Sequence, residues 1–273
     1  MRWLRCNLHH LSLAWLIATG MAIALFGWPA LALLVPAIAL IWLVADGIAR
    51  PASSVFYPTI AHGPRGSRRV ALTFDDGPDP DVTPQVLDAL AAAGAHATFF
   101  VIGRKLAAQP DIGRRIVAEG HALDNHSWRH SRLQNFYRPR RHREEIDRCH
   151  EAIAALGRGD RPILYRPPVG LKCGELARAA WQRDVTMVAW SLHSHDTRLP
   201  DPEAIAARVL ARVRGGDIVL LHDGHDLPGE RRAHCVEAVR LILEGLREKG
   251  LECVTVPELL ASGHLIDRLE PVL

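Results

Sequence analysis

Five short polar clusters in this chain carry residues suited to acid–base or metal chemistry, and each closes an apolar run. Asp75-Asp76 follows VALTF (70–74), and His126-Ser127-Trp128-Arg129-His130 closes HALDNH (121–126). Arg166-Pro167-Pro168-Val169-Gly170 closes ILYRPP (163–168), His193-Ser194-His195-Asp196 follows TMVAWSL (186–192), and His222-Asp223 ends DIVLLHD (217–223). Adjacent carboxylates repel, so both stay ionised only with a cation or separate partners. Taken alone, DDGPDPD is equally a turn. His126 and His130, at i and i+4, would share one face of a helical turn, as two imidazoles must to reach one metal ion. That spacing arises easily by chance among 15 histidines. The prolines of RPPVG stiffen the turn and withhold amide donors, which leaves the Val169 amide free to point inward. Arg166 is then a rim cation or half of a buried ion pair. A strand-end histidine such as His222 takes its pKa from the nearest anion, which suits proton donation near neutrality.

The elements that must position these groups alternate. Further strand candidates are ATFFVI (97–102) and LECVTV (251–256); helices are expected near 83–93, 110–119, 140–156, 174–183, 202–214 and 234–249, the last stopping at Gly250. Strands alternating with helices predict a parallel α/β architecture. In a parallel barrel the chemistry gathers where strands end. All the clusters fall at such ends and converge on one rim, which says more than any cluster alone.

In order and spacing, TFDDGP (73–78), HSWRH (126–130), RPPVG (166–170) and IVLLHD (218–223) resemble the motif series of the polysaccharide deacetylases, also called carbohydrate esterase family four. The run TFDDGPDPDVTPQVLDAL followed by ATFFVIG strengthens the resemblance. It implies a distorted (β/α)-barrel of about seven parallel strands. It also implies a divalent metal, usually zinc, held by Asp76, His126 and His130. Asp75 would be the general base, His222 the general acid, and Arg166 the group orienting Asp75. The Val169 amide would face the oxyanion, and Leu220 would line the pocket for the acetyl methyl. The implied reaction is removal of N-acetyl groups from an aminosugar in a chitin-, peptidoglycan- or lipid-linked-type glycan. Deacylation or deformylation of a membrane glycolipid is the alternative, and a membrane-tethered binding protein without turnover is the third reading.

The implied roles are chemically coherent. Three protein ligands leave positions open for water and a carbonyl oxygen, and a bound cation lowers the pKa of water toward ~7–9. A protonated histidine then assists a nitrogen that leaves poorly as an anion. The chain departs from the family at the fourth motif, which usually reads Asp, two residues, then Asp-Trp. Here His193 stands for the first Asp, which supports the arginine and histidine, and Thr197 stands for the Trp, which walls the acetyl pocket. Cys173 stands where an Asn often follows the RPP turn. The departures touch substrate contacts more than reaction type.

At 273 residues, 48% hydrophobic and 23% charged, the chain suits one catalytic domain plus an appendage. A net charge of +3 without a basic stripe argues against nucleic acid as a partner, although Arg138, Arg140, Arg141 and Arg143 crowd one helix start. The five scattered cysteines form no C-x-x-C pair, so they imply neither a disulfide framework nor a thiolate zinc site. Leu11 to Ala45 carries no charged side chain, which predicts a bilayer partner and an integral-membrane location. Two helices, 11–26 and 30–45, broken at Gly27-Trp28-Pro29, are the expected arrangement; one long tilted anchor or a cleaved signal are the alternatives. Two spans would leave the catalytic domain on the cytoplasmic side and one span would place it outside, so the side stays open. The expected boundaries are a membrane segment at 1–50, a linker or wrapping arm at 51–68, and the catalytic domain at 69–265.

Overall fold

The computed structural model describes residues 20, 21, 24, 28–157, 162, 164–225 and 233–261. The chain divides into two compact units, Met1–Gly47 and Ile48–Leu273. The second is built on β1 (Thr59–Ile60), β2 (Arg69–Asp75), β3 (Thr98–Val101), β4 (Ala122–Asn125), β5 (Leu164–Tyr165), β6 (Thr186–Val188), β7 (Leu192–His193), β8 (Ile218–His222) and β9 (Glu252–Cys253). The strands run parallel in the order β1-β6-β5-β4-β3-β2-β8-β7, with β9 beside the start of β2. The result is a curled half-barrel, with β1 and β7 as its two edges.

The alternation of the strands explains why the site lies inside the curl. Along β2, Val70, Leu72 and Phe74 face one core while Ala71 faces another. Thr73 and Asp75 share the parity of Ala71, because neighbouring side chains on a strand point to opposite faces. The register of β2 with β8 pairs Ala71 with Ile218, Thr73 with Leu220, and Asp75 with His222. The inner face therefore grades from small and apolar at its base to acid and imidazole at its rim. On the outer face, Phe74 stacks on Phe99 with ring centroids 5.0 Å apart, and helix Thr83–Ala92 buries Val86, Leu87 and Leu90 against the same layer. Truncating a core phenylalanine of this kind costs about 3–5 kcal/mol. That apolar layer fixes the strands on which the rim groups stand.

The structure redraws two expected elements. The run 186–192 is two strands, because Ala189 N donates to Ile60 O (2.7 Å) while Ser191 N donates to Ile218 O (3.0 Å). Between them the chain crosses from one edge of the sheet to the other. Residues 51–68 wrap the domain: Tyr57 is buried, its hydroxyl donates to Val185 O (2.7 Å), and Thr59–Ile60 adds β1 beside β6.

Of the two expected membrane helices, 11–26 falls almost entirely outside the described residues. Trp28–Ala49 is helical and contains Pro36. Its side chains are described from residue 35 onward, and Ile38, Leu40, Ile41, Trp42, Leu43 and Val44 are all exposed. Among the described residues no helix is long and apolar enough to cross a membrane.

Candidate active site

Asp75 is the last residue of β2 and Asp76 the first beyond it. A strand would point them to opposite faces. Asp76 instead takes φ 70, and both carboxylates line one cleft of about 600 Å³. The turn is held from outside, since Lys105 Nζ donates to Asp76 O (2.7 Å). Close approach fixes Gly224 as well, because a Cβ there would collide with Asp76 O.

His126 and His130 do not sit on a helical turn, contrary to the expectation from their spacing. After β4 the chain bends through Ser127 (φ 67) and His130 (φ 55). Side chains stabilise the bend: Ser127 N donates to Asn125 Oδ1 (2.8 Å), His130 N to Ser127 Oγ (3.0 Å), and Arg129 N to Glu145 Oε2 (2.8 Å). Such local bonds compete with helix formation. The rings still converge, with centroids 4.8 Å apart.

The two imidazoles and Asp76 form one donor set. Asp76 Oδ1 lies 3.2 Å from His130 Nε2 and 3.6 Å from His126 Nε2. It is buried and makes no hydrogen bond. His126 Nδ1 donates to Arg166 O (2.7 Å), which turns the Nε2 lone pair toward Asp76. Burial, with help from neighbouring His130, lowers the His126 pKa to about 3 and keeps the ring neutral, as a metal ligand must be. The ligand atoms of Asp76, His126 and His130 lie within 4.8 Å of one another. An orphaned buried carboxylate oxygen facing two imidazoles fits a divalent cation, and the nitrogen-rich set suits zinc.

Asp75 is engaged differently. Its Oδ1 accepts from Arg166 Nη1 (2.6 Å), while Oδ2 stays beside that donor set, 3.6 Å from His126 Nε2. Arg166 is fully buried below the rim, its guanidinium 4.0 Å over the Phe100 ring. It also donates to Thr73 Oγ1 (2.8 Å), Ala189 O (3.0 Å) and Val188 O (3.3 Å). Arg166 thus ties β2 and β5 to the crossing between β6 and β7.

Val169 lines the cleft with φ 59, an uncommon conformation for a β-branched residue. Strain of this kind costs about 1–3 kcal/mol and gathers at functional sites. Leu220 lines the floor from β8.

On the other wall, His222 Nδ1 bonds Asp196 Oδ1 (2.9 Å) and His222 N donates to Asp196 Oδ2 (2.7 Å). Burial disfavours the imidazolium, but Asp196, with Asp76 and Asp75 behind it, outweighs burial and raises the pKa to about 9. Nε2 is then the protonated nitrogen left for the cleft.

This role of Asp196 is not apparent from the sequence, where the family pattern places support of the histidine and arginine at the position of His193. His193 bonds neither: its ring lies 6.2 Å from His222, and its Nδ1 accepts from His195 N (2.9 Å). Asp196 carries the histidine, and the Val188 and Ala189 carbonyls help hold Arg166. A buried carboxylate in HSHD, two residues after a serine that could bond it, was the available signal; Ser194 Oγ donates to Asp196 Oδ1 (2.9 Å). Thr197 is exposed and still lines the cleft, where Trp190 provides the aromatic surface. Cys173 serves a structural end, its Sγ accepting from Leu176 N (3.5 Å) at the start of helix Gly174–Trp181.

Comparison with known proteins agrees with this geometry. The polysaccharide deacetylase family model matches residues 62–188. The chain is 37% identical to a chitooligosaccharide deacetylase of Bradyrhizobium, covering 71% of this chain and 91% of that protein. It is 36% identical to a peptidoglycan-N-acetylglucosamine deacetylase of Bacillus cereus, covering 74% and 92%. Among solved structures, a peptidoglycan N-acetylglucosamine deacetylase superposes with a TM-score of 0.69 at 32% identity over 74% of this chain and 92% of that one. A family 4 carbohydrate esterase from Streptomyces lividans in complex with acetate gives 0.60 at 31%, over 70% and 93%. The chain belongs to the polysaccharide deacetylases, hydrolases of carbohydrate esterase family four that cleave amide bonds.

Proposed function

We propose that this chain removes N-acetyl groups from an aminosugar of a glycan at a membrane surface, with Asp75 as general base and His222 as general acid. The observation that carries the reading is the pairing of two differently supported groups across one cleft. One is a carboxylate locked by Arg166; the other is an imidazole kept protonated by Asp196. A carboxylate and a protonated imidazole facing one cleft are the pair that acid–base catalysis needs. The named activities of the relatives support the same substrate class.

Asp76, His126 and His130 would hold the divalent cation, which polarises the acetyl carbonyl and makes water acidic enough to react. The remaining work belongs to the chain. Asp75 Oδ2 takes one proton from the attacking water as its oxygen bonds the acetyl carbon. The guanidinium of Arg166 holds the other carboxylate oxygen, so the base keeps its direction. The Val169 amide supplies a donor for the negative oxygen, an interaction typically worth about 3 kcal/mol. His222 Nε2–H gives its proton to the sugar nitrogen as the C–N bond breaks, which leaves acetate and a free amine. Leu220 packs against the acetyl methyl, and Trp190 walls the cleft.

Membrane attachment rests on the charge-free stretch Leu11–Ala45 and on the exposed apolar side chains at 38–44. Apolar residues exposed all round a helix suit lipid better than water. The test is acetate release from N-acetylglucosamine oligomers by the full-length protein in detergent. Release should stop with a chelator and return with zinc. Persistence of full activity after chelation, or in Asp75→Asn, would contradict the mechanism.

A further inference from the structure

Leu133 and Phe136 are 64% and 85% exposed, and both lie in the segment RLQNFYRPRR (132–141) beside the cleft. Their surroundings are basic, since Arg132, Arg138, Arg140 and Arg141 are exposed along the same segment. The segment has a fixed shape. Residues Gln134–Phe136 form a 3-10 turn, and the buried Gln134 donates through Nε2 to Pro168 O (3.1 Å) and Leu171 O (3.3 Å). Asn135 Nδ2 donates to Lys172 O (3.5 Å), and Arg141 stacks 3.9 Å over the Tyr137 ring.

The loop that anchors this turn, 168–172, has two other neighbours. Through Val169, Gly170 and Leu171 it lines the cleft, as does Arg132. It also receives the chain emerging from helix Trp28–Ala49: Lys172 N donates to Ile48 O (3.3 Å), and Lys172 Nζ to Pro51 O (2.7 Å) and Ser53 O (2.5 Å). Pro51 packs so closely on Gly170 that a Cβ there would come within 2.8 Å of it. One loop therefore joins residues 48–53, the exposed apolar turn and the mouth of the cleft.

We propose that turn 132–141 is a contact with the surface of an anionic lipid bilayer, and that the cleft opens at that surface to take aminosugars carried on lipid. Phe136 and Leu133 would enter the headgroup layer, and the arginines would pair with lipid phosphates. Basic residues around exposed aromatic and aliphatic side chains are the composition of interfacial contacts. A stable exposed apolar patch marks a binding surface. The occupant is lipid because the basic side chains complement anionic headgroups, and because residues 48–53, which follow the charge-free stretch in sequence, pack on the same loop. This inference rests on both the deacetylase and the membrane readings.

The test uses the full chain reconstituted in vesicles of phosphatidylcholine and phosphatidylglycerol. A nitroxide on Phe136→Cys, read against identically treated wild type, should collide more readily with oxygen than with a water-soluble nickel chelate. Arg138→Glu, Arg140→Glu and Arg141→Glu together should return it to water. A label that stays in water in every vesicle overturns the contact, and so does protection that appears only after RNA is added. Leu133→Asp with Phe136→Asp should lower turnover of an N-acetylglucosaminyl lipid in the vesicles by about tenfold or more. Turnover of a soluble chitooligosaccharide should stay within about twofold. Equal loss on both substrates, no loss on either, or no turnover of the lipid by wild type overturns the substrate assignment. The soluble substrate reads the deacetylase independently, and a nitroxide on Ile41→Cys reads the membrane attachment independently.

Discussion

The two walls of the cleft are built to different standards of redundancy. On the wall of Asp75, Asp76, His126 and His130, one buried arginine ties two of the groups to several elements at once. Arg166 alone touches Asp75, Thr73, Val188 and Ala189, and its carbonyl orients His126. On the wall of His222, the proposed proton donor is hydrogen-bonded by one carboxylate, Asp196, and its neighbours His193 and Thr197 make no bond to it. In the proposed mechanism the first wall fixes where reaction occurs, and the second sets when a proton is available and what enters. A change on the first wall should abolish turnover, whereas a change on the second should retune it.

The largest effect should come from Asp75→Asn, which removes the base and leaves the Arg166 side chain without its anionic partner. A fall in kcat of about 10³, within the usual range for a general base, is expected in steady-state acetate release. A loss under tenfold would erase the contrast between the walls.

Asp196→Asn should be next. Without the carboxylate, burial favours neutral His222, and the pKa should drop from about 9 toward or below its ordinary value of 6.5. The acid is useful only when protonated. The alkaline fall of kcat/KM should therefore move to lower pH by the same amount, leaving more activity below that pKa than above it. An alkaline limb that does not move would show that another group donates the proton.

His193→Ala should do least. Burial and nearby His222 lower the His193 pKa to about 4, so the ring is neutral, and its Nδ1 is already committed to His195 N. Only Nε2–H remains for substrate. We expect KM to rise by less than about tenfold with kcat nearly unchanged, the mark of a lost ground-state contact. A large fall in kcat would return to His193 the supporting role that the geometry gives to Asp196.

These differences follow what could be read in the sequence. The motifs of the first wall lie at the ends of apolar runs with clean alternation, so TFDD places Asp75 inward without coordinates. Three details of the site were not legible, all for the same physical reason. Backbone turns with positive φ decide them, and an Asp or His favours such a turn without fixing where one occurs. Asp76 and His130 reach the site through φ 70 and φ 55 instead of a strand or helix period. His195, at φ 64, bends HSHD so that Asp196, and not His193, meets His222. The break in TMVAWSL depended on partners distant along the chain, Ile60 and Ile218.

The most direct measurement is equilibrium zinc binding to the full-length protein and to two variants, one from each wall. Wild type and His193→Ala should each bind one tight equivalent, while Asp76→Ala should bind at least about 10-fold more weakly. Undiminished binding in Asp76→Ala, or loss of the ion in His193→Ala, would contradict the division of labour between the walls.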